Sequence, residues 1–214
     1  MRRKTLRGLV PALQREVKDG LWITGAAEVP ERWNPRHAHT RAYRYVAVPI
    51  TEDLARMRKA CKAFEGRHLM TAFAKMEEGR NPERTVREFT VQEHDGLWLF
   101  RTVGDGYLWN QVRRMVGAVL AVGRGEAEVA DVEHSLKTGE RHKAFHLVQA
   151  EGLLLERIEH DGLEWDPYAG RLGPHRVPRV LQEADVGHQL ARHLHKLAPW
   201  PATPVADGAD SSEE

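Results

Sequence analysis

The sequence predicts an α+β protein built on an antiparallel sheet, and two features carry that expectation. Residues 86–93 and 97–103 alternate apolar and polar side chains and are joined by Asp95-Gly96, a pair that favours the tight turn of a β-hairpin. The other strands and helices follow in an order that, with this hairpin among them, fits an antiparallel sheet with packed helices. At 214 residues, with 41% hydrophobic and 29% charged side chains, the chain is long enough to bury a real core.

Taken in order, residues 3–19 read as a helix with Leu6, Leu9, Val10, Leu13 and Val17 on its apolar side, broken by Pro11 and stopped at Asp19-Gly20. Residues 21–27 form a short strand, and a loop runs from Val29-Pro30 through Asn34-Pro35. Residues 41–48 alternate as a strand that Pro49 ends. Thr51 is placed to cap a helix over 52–64, with Leu54, Met57, Cys61 and Phe64 on one face and Gly66 closing it. After the hairpin, Gly104-Asp105-Gly106 precedes a helix over 107–122. It lacks the glycine and lysine pattern of a phosphate-binding loop and reads as a turn. A shorter helix covers 129–137. A strand covers 152–159, with Leu153, Leu155 and Ile158 toward the core. A last helix covers 181–197, and 199–214 is a disordered tail rich in Pro, Ala, Asp, Ser and Glu.

The net charge is +1, but charge is unevenly spread. Arg2, Arg3, Lys4 and Arg7 crowd the start, whereas Asp207, Asp210, Glu213 and Glu214 close the chain. Cys61 is the one cysteine, so no internal disulfide forms, which fits a reducing, cytoplasmic setting. The longest apolar run, 115–122, is too short to cross a membrane. A secretory signal is not evident at the N-terminus.

Between residues 32 and 50, Arg32, Arg36, Arg41, Arg44, His37 and His39 interleave with Trp33, Tyr43 and Tyr45 without an acid. Arginines neutralise phosphates and aromatic rings stack on unpaired bases, so this stretch fits RNA. A solvated strand with inward-turned aromatics has the same composition. In the helix over 107–122, Leu108, Val112, Met115, Val116 and Val119 share a stripe, with Arg113 at its border and Arg114 well away. A border arginine is either half-buried beside a carboxylate or a snorkelling surface residue. His37 with His39, and His193 with His195, lack the further ligands a metal site needs.

Several blocks resemble the TruA family of tRNA pseudouridine synthases. They are Ala27-Glu28-Val29-Pro30, Trp33-Asn34-Pro35-Arg36, Arg41-Ala42-Tyr43-Arg44-Tyr45, Arg84-Thr85-Val86, the run Tyr107-Leu108-Trp109-Asn110-Gln111-Val112-Arg113-Arg114-Met115-Val116-Gly117, and Ala150-Glu151-Gly152-Leu153. The resemblance covers residues 6–165 and is of archaeal type. It implies a pseudouridine synthase core that isomerises uridine to pseudouridine in the anticodon arm of tRNA, without metal or cofactor, as a homodimer. It implies that Tyr43 stacks on the target uracil, that Arg113 pairs with the catalytic aspartate, and that Arg41, Arg44 and Arg36 are basic contacts to the substrate.

Two departures stand beside this likeness. The family's Gly-Arg-Thr-Asp motif, which carries the nucleophilic aspartate, is absent from the 214 residues. The chain therefore reads as N-terminally truncated, lacking the first strands and inactive alone. The other readings are an RNA-binding descendant without catalysis, or a split enzyme whose acid comes from a second polypeptide. The second departure is Gly66-Arg67-His68-Leu69-Met70, which replaces the family's Gly-x-His-Asp-Phe. The resulting domain expectation is a remnant helix over 1–20, an RNA-modifying domain over 21–170, a helical extension over 171–198 and the tail.

Overall fold

The computed structural model describes residues 8–13, 16, 25–35, 37–160, 162–163 and 166–167. The predicted helix over 181–197, the extension and the tail lie outside them. The described residues fall into two compact units. In the smaller, residues 8–13 are helical with Val10 buried. There strand β1, Gly25–Ala26, pairs antiparallel with β7, Asp166–Pro167.

The larger unit spans residues 29–163. It contains β2 (Thr40–Ala47), α1 (Leu54–Ala63), β3 (Gly66–Leu69), a 3-10 turn at Thr71–Phe73, β4 (Glu83–His94), β5 (Leu97–Gly104), α2 (Gln111–Arg124), α3 (Val129–Thr138) and β6 (Leu153–Glu159). The sheet order is β3-β4-β5-β2-β6 with every pairing antiparallel. The α+β expectation is met.

Alternation along the strands sends Tyr45, Val91, Trp98 and Phe100 to the face that the helices cover. Two bulges interrupt it. Arg87 is an extra residue in β4 opposite β5, so Val86 and Phe89, three apart, both reach the core. Glu156 is the extra residue in β6 opposite β2. Helix α2 is buried nearly all round, from Met115 through Gly123, because it lies in the core rather than on its margin. Glycines permit two close approaches. A Cβ on Gly117 would stand 1.9 Å from the His146 carbonyl oxygen, and one on Gly123 would stand 2.6 Å from Met57 Cγ. At that second contact the Glu52 carboxylate, 1% exposed, accepts from the Ile50 amide (2.7 Å), Trp98 Nε1 (3.2 Å) and Arg124 Nη1 (3.2 Å).

The observed elements correct four sequence expectations. Asp53, not Thr51, caps α1, its Oδ1 accepting from the Arg56 amide at 2.8 Å. Gly66 does not close that helix but opens β3 at φ 113°. Helix α2 starts at Gln111 rather than residue 107, because Asn110 takes a left-handed conformation (φ 64°) and the Gln111 side chain accepts the Leu108 amide at 2.9 Å. Leu155 is 43% exposed, since β6 is an edge strand of the sheet.

Candidate functional site

Strand β2 divides its side chains between two surfaces. Arg41, Tyr43 and Tyr45 point to the helix side, opposite Gly104, Thr102 and Phe100 of β5. Tyr45 is buried and its hydroxyl donates to the Gln149 carbonyl at 2.9 Å. Tyr43, nearer the sheet end, is half-buried and meets Tyr107 edge-to-face, ring centres 5.2 Å apart at 83°. The Tyr107 hydroxyl bonds Thr102 Oγ1 at 2.8 Å. Gly104 makes room for this pair, since a Cβ there would lie 2.6 Å from the Thr85 carbonyl and 3.1 Å from the Tyr107 hydroxyl.

The turn after β5 completes the site. The Asp105 carboxylate accepts the Thr85 amide at 3.2 Å, and its carbonyl accepts Arg41 Nη1 at 3.0 Å. Gly106 stands close to Arg41 Nη1 and Arg84 Nε, which a Cβ there would meet at 3.5 and 3.8 Å. Arg84 projects from β4 on the Val86 side, and its Nη1 donates to the carbonyls of Asn81 (2.9 Å) and Glu83 (2.6 Å). The result is an open cavity of about 440 Å³ whose lining includes Arg41, Tyr43, Arg80, Arg84, Asp105 and Tyr107. Burial raises the Tyr43 and Tyr107 phenols above the ordinary tyrosine value, with Arg41 opposing the shift at Tyr43. Both rings are therefore neutral at neutral pH. A neutral aromatic floor under guanidinium groups suits a flat, uncharged ring tied to an anion.

The sequence-expected residues divide. Arg41 and Tyr43 share this cavity. Arg113 is half-buried on α2, with Nε donating to the Val148 carbonyl at 2.7 Å and Nη1 to Asn110 Oδ1 at 3.2 Å. Its charge acts on the Tyr45 phenol, one strand repeat from Tyr43, and it is not in the cavity lining. Among the described residues no carboxylate forms an ion pair with it. Arg44 turns to the opposite surface, where it binds Glu156 at 3.0 Å; Glu156 binds Arg101 at 3.1 Å, and Arg101 binds Glu88 at 2.8 Å. Arg36 lies outside the described residues. Arg80 and Asp105 were not anticipated as site residues, and Arg84 and Tyr107 only as parts of matching blocks. The one local cue is the turn-forming Asn81-Pro82 between two arginines.

Sheet, helices and cleft define the class: an α+β protein with a five-stranded antiparallel sheet packed against helices and an arginine-walled aromatic cleft. The family model described as tRNA pseudouridine synthase matches residues 60–161. The chain is 40% identical over 147 residues to the tRNA pseudouridine synthase A of Thermococcus kodakarensis, covering 68% of this chain and 55% of that protein. Against the protein of the same name from Methanocorpusculum labreanum it is 40% identical over 147 residues, covering 68% and 51%. The match to that of Thermococcus onnurineus is 34% over 154 residues, covering 72% and 57%. The chain belongs to the TruA family of tRNA pseudouridine synthases. It spans about half the length of the curated relatives it matches.

Proposed function

We propose that this chain supplies the base-holding part of a synthase that isomerises uridine to pseudouridine in the anticodon arm of tRNA. The observation that carries the reading is Tyr43 at the floor of a cavity walled by Arg41, Arg80 and Arg84. The reaction breaks a glycosidic bond, turns the freed uracil and joins its C5 to the ribose. The target nucleotide leaves its stack to be reached, and the Tyr43 ring retains the base while no covalent bond does. The guanidinium groups offset backbone charge. Arg113 supports an ionised carboxylate at the ribose. The 214 residues hold no Gly-Arg-Thr-Asp sequence, so that acid is drawn from another polypeptide segment, and this chain by itself is expected to be inactive. The working enzyme is a cytoplasmic homodimer that needs neither metal nor cofactor. Among the described residues no helix is long and apolar enough to cross a membrane.

Release of tritium from tRNA labelled at uracil C5 tests the reading. The 214-residue chain is expected to bind tRNA without turnover. A segment bearing the family's aspartate motif is expected to restore turnover, and Arg113→Ala to abolish it. A second reading, an RNA-binding protein without catalysis, is favoured by the lack of a carboxylate at Arg113 among the described residues. Binding that persists with no turnover under any complementation would select it.

A further inference from the structure

Beside the Tyr43 cavity lies a second one of about 420 Å³, and the two share Arg84 and Asp105. Arg84 thus forms the partition between them. Two backbone carbonyls, Asn81 and Glu83, fix one end of its guanidinium. Among the described residues no carboxylate pairs with it, whereas Arg67 in the second cavity is matched by Glu83 at 2.5 Å and Arg80 in the first by Glu77 at 3.2 Å. The arginine is anchored but not neutralised. Gly106 puts no side chain beside its Nε, where a Cβ would stand 3.8 Å away.

Resting on the proposed RNA substrate, we propose that Arg84 clamps the backbone phosphodiester beside the nucleotide whose base lies on Tyr43. The second cavity takes the neighbouring nucleotide. A phosphodiester is the ligand that fits, because a planar guanidinium binds paired oxygens of one anion, and two adjoining cavities with a cation between them match base, phosphate, base along a single strand. The local charges agree with this placement: burial and the charges of Arg80 and Arg41 disfavour the Arg84 cation, despite Asp105, until an anion arrives.

The test is fluorescence anisotropy of a labelled anticodon stem-loop RNA with the full 214-residue chain across a salt series. Arg84→Ala is expected to weaken binding about tenfold and to lower the log–log salt slope by about 0.7–1, the release expected for one phosphate contact. Arg84→Lys, which keeps the charge, is expected to restore the slope but not the full affinity, and this separates lost charge from misfolding. Lys137→Ala, at an exposed position of α3, should leave both unchanged. Wild-type binding with the same affinity and slope in Arg84→Ala overturns the clamp and leaves the functional reading intact. Absence of RNA binding by the wild type overturns both. Saturable binding of inorganic phosphate lost in Arg84→Ala, with an unchanged RNA slope, assigns the site to a free phosphate and overturns the phosphodiester.

Discussion

Replacing Gly117 by alanine separates two opposing effects of known size. In an open helix interior, alanine is favoured over glycine by about 1 kcal/mol. Here the new methyl would stand 1.9 Å from the His146 carbonyl oxygen and 3.1 Å from its carbon. Ordinary contact begins at 3.4 Å, so the crossing segment has to withdraw by about 1.5 Å. That segment is not free to move. Phe145 is buried against Phe73, and the Val148 carbonyl holds Arg113 Nε. Overpacking of a fixed backbone costs about 1–3 kcal/mol and sometimes more. A 1.9 Å approach puts the clash at the upper end, about 3 kcal/mol, so the net expectation is a loss of about 2 kcal/mol, which lowers the melting temperature by about 5 °C or more in a domain of this size. Urea denaturation followed by circular dichroism gives the free energy. A variant as stable as the wild type, or more stable, would show that the His146 segment yields cheaply and that helix propensity wins.

Glu52→Ala should cost about 3 kcal/mol, because it strips an acceptor from the buried Trp98 indole, the part-buried Ile50 amide and a partly buried arginine, and Glu52→Gln should cost less; equal urea midpoints for wild type and Glu52→Ala would refute this. The Glu156 carboxyl is held below its ordinary value of 4.5, chiefly by its bond to Arg44, and that of Glu126 by Arg124. A carboxyl lowered on folding contributes stability above its unfolded value and loses it as pH falls through the folded one. Stability should therefore decline below pH 4.5, by no more than about 1 kcal/mol for each such surface pair. Glu156→Gln should flatten that decline, as acid titrations of the melting temperature would reveal. Tyr43→Ala should weaken stem-loop RNA binding by about 1–3 kcal/mol, the worth of one stacked base, while Tyr43→Phe keeps most of the affinity; equal losses would point to the hydroxyl instead of the ring.

Local chemistry was the legible part of the fold. Asp95 and Gly96 take the positive φ values, 50° and 71°, that such a hairpin turn demands. The Met57, Cys61 and Phe64 face of α1 is buried as its spacing predicts. Strand β3 was not legible, because Gly66-Arg67-His68-Leu69 is a short edge strand without a buried side chain and so has no alternation to read. The same applies to residues 107–110, whose apolar pattern runs on into α2 while Asn110 turns the backbone out of the helix. At the site, Arg41 and Tyr43 stand two apart on one strand and declare themselves together. Arg84 joins them only through the order β4-β5-β2 and the bulge at Arg87, both non-local. Alternation also says that Arg44 opposes Tyr43 without saying which of the two surfaces the helices cover.

The division of labour along β2 restricts how this family can drift. Odd positions carry the aromatic floor and Arg41, and the next position, Arg44, belongs to a charge ladder with Glu156, Arg101 and Glu88. Losing or gaining a single residue within the strand would swap the two sets, sending a tyrosine to water and a guanidinium into apolar packing. Length changes there survive only in pairs or when a compensating bulge absorbs the odd residue, so gaps in descendants of this chain should gather in the loops and spare the strand.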